Sequence, residues 1–61
     1  MNRDEKEAFL RRFDDIADLV QVARDNAEEG KYDDAMCAIE DACEDAVKVS
    51  SDLEKLDDEA R

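Results

Sequence analysis

Residues 23–39 read Ala23-Arg24-Asp25-Asn26-Ala27-Glu28-Glu29-Gly30-Lys31-Tyr32-Asp33-Asp34-Ala35-Met36-Cys37-Ala38-Ile39. Gly30 is the sole glycine of the 61 residues, and there is no proline. Upstream of it the apolar residues recur as Phe9, Phe13, Ile16, Val20, Ala23 and Ala27; downstream as Tyr32, Ala35, Ile39, Ala42, Ala46, Val49, Leu53, Leu56 and Ala60. Steps of three and four alternate without a break on both sides, which is the period of a helix with one apolar seam and not the strict alternation of a strand. A glycine three residues after the last seam position suits the left-handed residue that closes a helix. The sequence therefore predicts an all-α single domain over 1–61: an antiparallel two-helix hairpin, with helices over about 3–29 and 32–58. Asn2 with Glu5 three residues on reads as a capping box at the start. Glu28 and Glu29, and again Asp57, Asp58 and Glu59, sit at the negative ends of the helix dipoles, so both C-terminal turns are expected to be weak.

The expected core seam is Phe9, Phe13, Ile16, Val20 and Ala23 against Ile39, Ala42, Ala46, Val49, Leu53 and Leu56. Folding the chain evenly at Gly30 sets Ala27 against Tyr32, Ala23 against Ala35, Val20 against Ile39, Ile16 against Ala42, Phe13 against Ala46 and Phe9 against Val49, so that at several layers large residues face small ones. Leu53 and Leu56 then extend past Phe9 with nothing apolar to meet.

One hairpin is a marginal fold. Leu, Ile, Val and Phe number only 12, and nine more of the apolar residues are alanine, so a single seam barely offsets the entropy of ordering about 1.5 kcal/mol per residue. Yet more apolar surface flanks the seam: Leu10, Leu19 and Val22 on the first helix, and Met36, Cys43 and Val47 on the second. These are the candidate interface. The simplest closure is two hairpins packed as a homodimeric four-helix bundle, with docking onto a larger protein as the alternative. Twenty acidic against nine basic side chains give a formal charge of −11, so a dimer opposes its own repulsion and should strengthen with salt.

Two resemblances carry the same geometry. Gly30, Tyr32, Ala35, Ile39 and Ala42 match the turn and second helix of a tetratricopeptide repeat over about half the chain, which implies a helical hairpin with a protein-binding habit. In size and layout the chain resembles the Rop-type family of dimeric helical hairpins, from the start Met1-Asn2-Arg3-Asp4-Glu5-Lys6-Glu7-Ala8-Phe9 onward. That family implies a four-helix bundle and RNA binding through the first helix. Arg3 and Phe13 fall in place for the latter, while Leu10, Asp14, Asp18 and Asp25 occupy the rest of that face.

The catalytic inventory is bare. There is no histidine, hence no imidazole base, no usual triad and no imidazole metal ligand. Cys37 and Cys43 stand six apart, about 9 Å along a helix, too far for a disulfide within the chain and outside zinc-ligand spacing. Cys43 is expected as a small buried hydrophobe, Cys37 as a more exposed free thiol, which implies a reducing, cytoplasmic compartment. No catalytic, metal or cofactor residues are assigned, and no enzyme is expected. Asp14, Asp15, Asp18, Asp41, Glu44 and Asp45 form an acidic surface that disfavours direct nucleic-acid binding, since phosphate contacts need clustered Lys and Arg. The basic residues are scattered and expected in local pairs such as Glu7–Arg11 and Asp41–Lys48. No apolar run approaches a membrane span, and no secretory signal is expected. The reading is a non-enzymatic interaction or regulatory protein working through helix faces, with itself and a protein of basic or apolar surface as partners. The second reading is an acidic mimic of nucleic acid that inhibits a DNA- or RNA-binding protein.

Overall fold

The computed structural model describes residues 3–60, with the side chains of residues 3–59. Two helices account for nearly all of them: α1, Arg3–Glu28, and α2, Tyr32–Ala60. They pack antiparallel into a hairpin of 46 × 18 × 10 Å. The proposed cap Asn2 lies outside the described residues, as does the side chain of Ala60.

The turn is a Schellman motif. Gly30 adopts φ +80°, its N–H donates to the carbonyl of Ala27 at 3.1 Å, and the N–H of Lys31 donates to that of Asn26 at 2.8 Å. These two bonds take up carbonyls that a helix end otherwise leaves to water. They close a terminus whose charges oppose the dipole, and Arg24–Glu28 at 3.2 Å and Lys31–Glu29 at 3.1 Å blunt those charges further. The Lys31 carbonyl then accepts the first bond of α2, from Ala35 at 3.0 Å, with Asp33 and Asp34 at the favourable end of the new dipole. Despite Asp57, Asp58 and Glu59, α2 runs past the expected end at 58 to Ala60.

The contact between the helices differs from the expected seam in rotation. Ala23, Ala38, Ala42 and Val49 are buried; Phe9, Arg12, Ile16, Leu19 and Asn26 on α1, and Ala35, Asp45, Asp52, Leu53 and Leu56 on α2, are half-buried. The rows Phe9-Ile16-Ala23 and Ala35-Ala42-Val49-Leu56 lie in the contact as predicted. Phe13, Val20, Ile39 and Ala46 are exposed instead, their places taken by Arg12, Leu19, Ala38 and Asp45. The apolar arc of each helix is wider than one helix–helix contact can cover, so one flank stays outside. Arg12 tolerates its position because its stem covers apolar surface while its head reaches water. Its guanidinium lies 5.3 Å from the centre of the Phe9 ring and donates to Asp52 Oδ2 at 2.8 Å.

The pairing along the helices is also displaced. Arg12 meets Asp52, where an even fold at Gly30 would set it against Val47. Helical side chains lean toward their own N-terminus. In this hairpin those of α1 lean away from the turn and those of α2 toward it, so partners meet at higher numbers on α2 than backbone levels suggest. The shift brings Leu56 to Phe9, in a groove they share with Glu5, Asp52, Lys55 and Glu59, and so covers a leucine that the even fold left bare.

Candidate interaction face

Phe13, Val20 and Ala27 are spaced by sevens, as are Tyr32, Ile39, Ala46 and Leu53. Residues seven apart on a helix point the same way to within about 20°, so each set is a straight row, and the two rows flank the hairpin contact on one side. Between them runs a shallow apolar trough in two stretches. Near the turn it is lined by Val20, Ala23, Arg24, Ala27, Tyr32, Ala35, Met36 and Ile39; further along, by Phe13, Ile16, Ala46, Val49, Ser50 and Leu53. Leu10, Phe13, Val20, Tyr32, Met36 and Ile39 keep between 41 % and 69 % of their surface exposed. Isolated exposed apolar residues are ordinary, but a continuous line of them is not.

The residues expected at the interface are divided by the fold. Leu10 and Met36 flank the open trough, and Cys43, seven after Met36, continues its row. Cys43 is exposed, as is Cys37, so the expectation that Cys43 is buried is corrected: its row lies one step outside the contact. Leu19 is half-buried inside the hairpin. Val22, exposed, follows Asp15 by seven and belongs to the opposite, polar side; Val47 lies just outside the trough, in a separate shallow groove with Ala46, Ser50, Ser51 and Glu54. The exposed face also holds Phe13, Val20, Ile39 and Tyr32, which the sequence pattern places in the seam. Its signal was present as a second heptad row per helix, wider than a hairpin needs.

The opposite face is polar. Its groove is lined by Arg12, Asp15, Asp45, Lys48 and Val49. Asp14, Asp15, Asp18, Asp41 and Glu44 are exposed, and Asp45 is half-buried at the helix contact. Glu7 pairs with Arg3 at 3.5 Å and Lys48 with Glu44 at 3.4 Å, in place of the expected Glu7–Arg11 and Asp41–Lys48 pairs. Among the described residues no group of three or more Cys, Asp or Glu is arranged to hold a metal ion, and no helix is long and apolar enough to cross a membrane.

Shape sets how much surface this leaves. The radius of gyration is 14.3 Å, against about 10.5 Å for a compact chain of this length. The accessible surface is 4907 Å², against about 4,000 Å² for a folded monomer of 7.0 kDa. No family model, curated protein or solved structure matches this chain.

Proposed function

We propose that this protein is a non-enzymatic interaction module whose working form is a homodimeric four-helix bundle, built by covering the Phe13/Val20/Ile39/Leu53 face with a second copy. The observation that carries the reading is the open apolar trough. Each helix has two seams that share a central apolar row, Phe9-Ile16-Ala23 on α1 and Ala35-Ala42-Val49-Leu56 on α2; one seam adds a wholly apolar second row, the other a mixed row that holds Arg12 and Asn26 on α1 and Asp45 and Asp52 on α2. The hairpin occupies one seam of each helix and leaves the other open. A helix with two such seams is suited to two neighbours, as in a four-helix bundle. The elongated chain as a whole exposes about 900 Å² more than a compact monomer of its mass, the order of area that one partner buries in a standard interface, roughly 800 Å². In the dimer the acidic surfaces of both copies face outward, available to a basic protein surface and repellent to nucleic acid. Sedimentation equilibrium across a salt series tests the reading. A species of about 14 kDa, twice the 7.0 kDa chain, is expected at micromolar concentration; a folded species of one chain's mass at every salt concentration would overturn it.

The length of the molecule favours mimicry of nucleic acid as a second reading. Two copies side by side carry twice the formal −11 along 46 Å, about 0.5 charges per Å against about 0.6 for duplex DNA. Here Asp14→Lys/Asp18→Lys should abolish capture of a basic target while leaving the circular dichroism unchanged. Loss of capture on Ile39→Ala with the charge reversals inert would return the assignment to the apolar face.

A further inference from the structure

We infer that the second copy docks with its turn at the same end, so that α1 of each chain lies beside α2 of the other; this rests on the dimer proposed above and specifies its geometry. Two hairpins stacked face to face by a two-fold axis have two arrangements. With the axis along the helices, the turns share an end, α1 neighbours α2 of the second copy, and like helices sit diagonally. With the axis across the helices, the turns lie at opposite ends and each helix neighbours its own counterpart.

Charge separates the two, because it is divided unequally between the helices. α1 carries five basic and eight acidic side chains, a net of −3; α2 carries two basic and eleven acidic, a net of −9. Neighbouring helices in a bundle are about 8–10 Å apart, and diagonal ones about 13 Å. The first distance lies within the Debye length at moderate salt and the second beyond it. The crosswise arrangement therefore sets −9 beside −9 at the least screened distance. The lengthwise arrangement places each α2 between two α1 helices and leaves the strongest repulsion on the diagonal. The basic residues agree. Arg24 borders the trough on α1, whereas both basic residues of α2 lie off it: Lys48 lines the polar groove, and Lys55, seven on, shares its row. Only neighbouring unlike helices set Arg24 beside the more acidic helix of the other copy.

Packing permits the choice. A two-fold axis along the helices keeps every residue at its own level. Phe13, which shares a groove with Ala46 and Leu53 of its own chain, then comes level with the gap between the same two residues of the second copy. Val20 and Ala27 share the other stretch of the trough with Tyr32 and Ile39 of their own chain, so the same two residues of the second copy lie across from that stretch.

The test is a distance between turns. Lys31→Cys in a Cys37→Ser/Cys43→Ser background, spin-labelled, reports the separation between copies by pulsed dipolar spectroscopy. Lys31 and both cysteines are exposed, and the Lys31 hydrogen bonds at the turn are made by its backbone. Glu29→Cys repeats the measurement at an independent site. Separations below about 25 Å, two label arms added to the interhelical spacing, are expected at both positions. Separations approaching the 46 Å length of the hairpin in a sample of dimer mass would overturn this arrangement while leaving the dimer standing. Monomer mass with no dipolar signal would overturn both.

Discussion

Replacing Ile39 by alanine should weaken self-association by more than it destabilises the hairpin, which loses about 1 kcal/mol from the part of the side chain it already covers. Ile39 lines the trough and is 41 % exposed. Full burial of such a side chain is worth about 1.5–3 kcal/mol, so a second copy can still recover about 1 kcal/mol at this position. Two-fold symmetry counts it twice, and about 2 kcal/mol is roughly a 30-fold rise in Kd. The matched control is Val47→Ala. Val47 is 69 % exposed and lines neither stretch of the trough, although it borders Ala46 and Ser50 at its edge, and both changes raise helix propensity to a similar degree. Sedimentation equilibrium on the wild type and the two variants should show the dimer constant of Ile39→Ala shifted and that of Val47→Ala within about twofold of wild type. Equal shifts in both, or an unmoved Ile39→Ala, would refute the assignment of the contact to this face.

Raising salt from 0.1 M to 1 M shortens the Debye length from about 10 Å to 3 Å and should tighten the dimer, read as a falling Kd in the same instrument; an unchanged or rising Kd would contradict a dimer limited by its charge. Arg12→Ala removes the bond to Asp52 and the contact over Phe9. With the paired side chains 37 % and 44 % exposed, the loss should be only about 1 kcal/mol, a fall in Tm of about 5 °C, and no change would show that the pair contributes nothing net. Gly30→Ala meets no atom within 4 Å, so its cost is the positive φ alone, about 1 kcal/mol. Gly30→Asn should cost less, and calorimetry of the two orders them.

Helix number, helix type and the place of the turn were legible in the sequence because each rests on local chemistry: a lone glycine suited to positive φ, an uninterrupted period of three and four, and no proline. Which apolar row of each helix faces the other was not legible. Phe9-Phe13-Ile16-Val20 and Phe9-Arg12-Ile16-Leu19 have the same period and share every second member, so periodicity cannot choose between them. Apolarity favours the first, yet the hairpin takes the second.

The sequence by itself determined that two amphipathic helices would fold back at Gly30 and carry more apolar width than one contact can cover. Only the tertiary structure decided that Phe13, Val20 and Ile39 stay outside while Arg12 and Asp45 are drawn toward the contact, and that Leu56 reaches Phe9. Period is a property of one helix, whereas rotation and register belong to a pair. They are set by the lean of side chains toward their N-termini and by the close approach that Ala23, Ala38 and Ala42 permit.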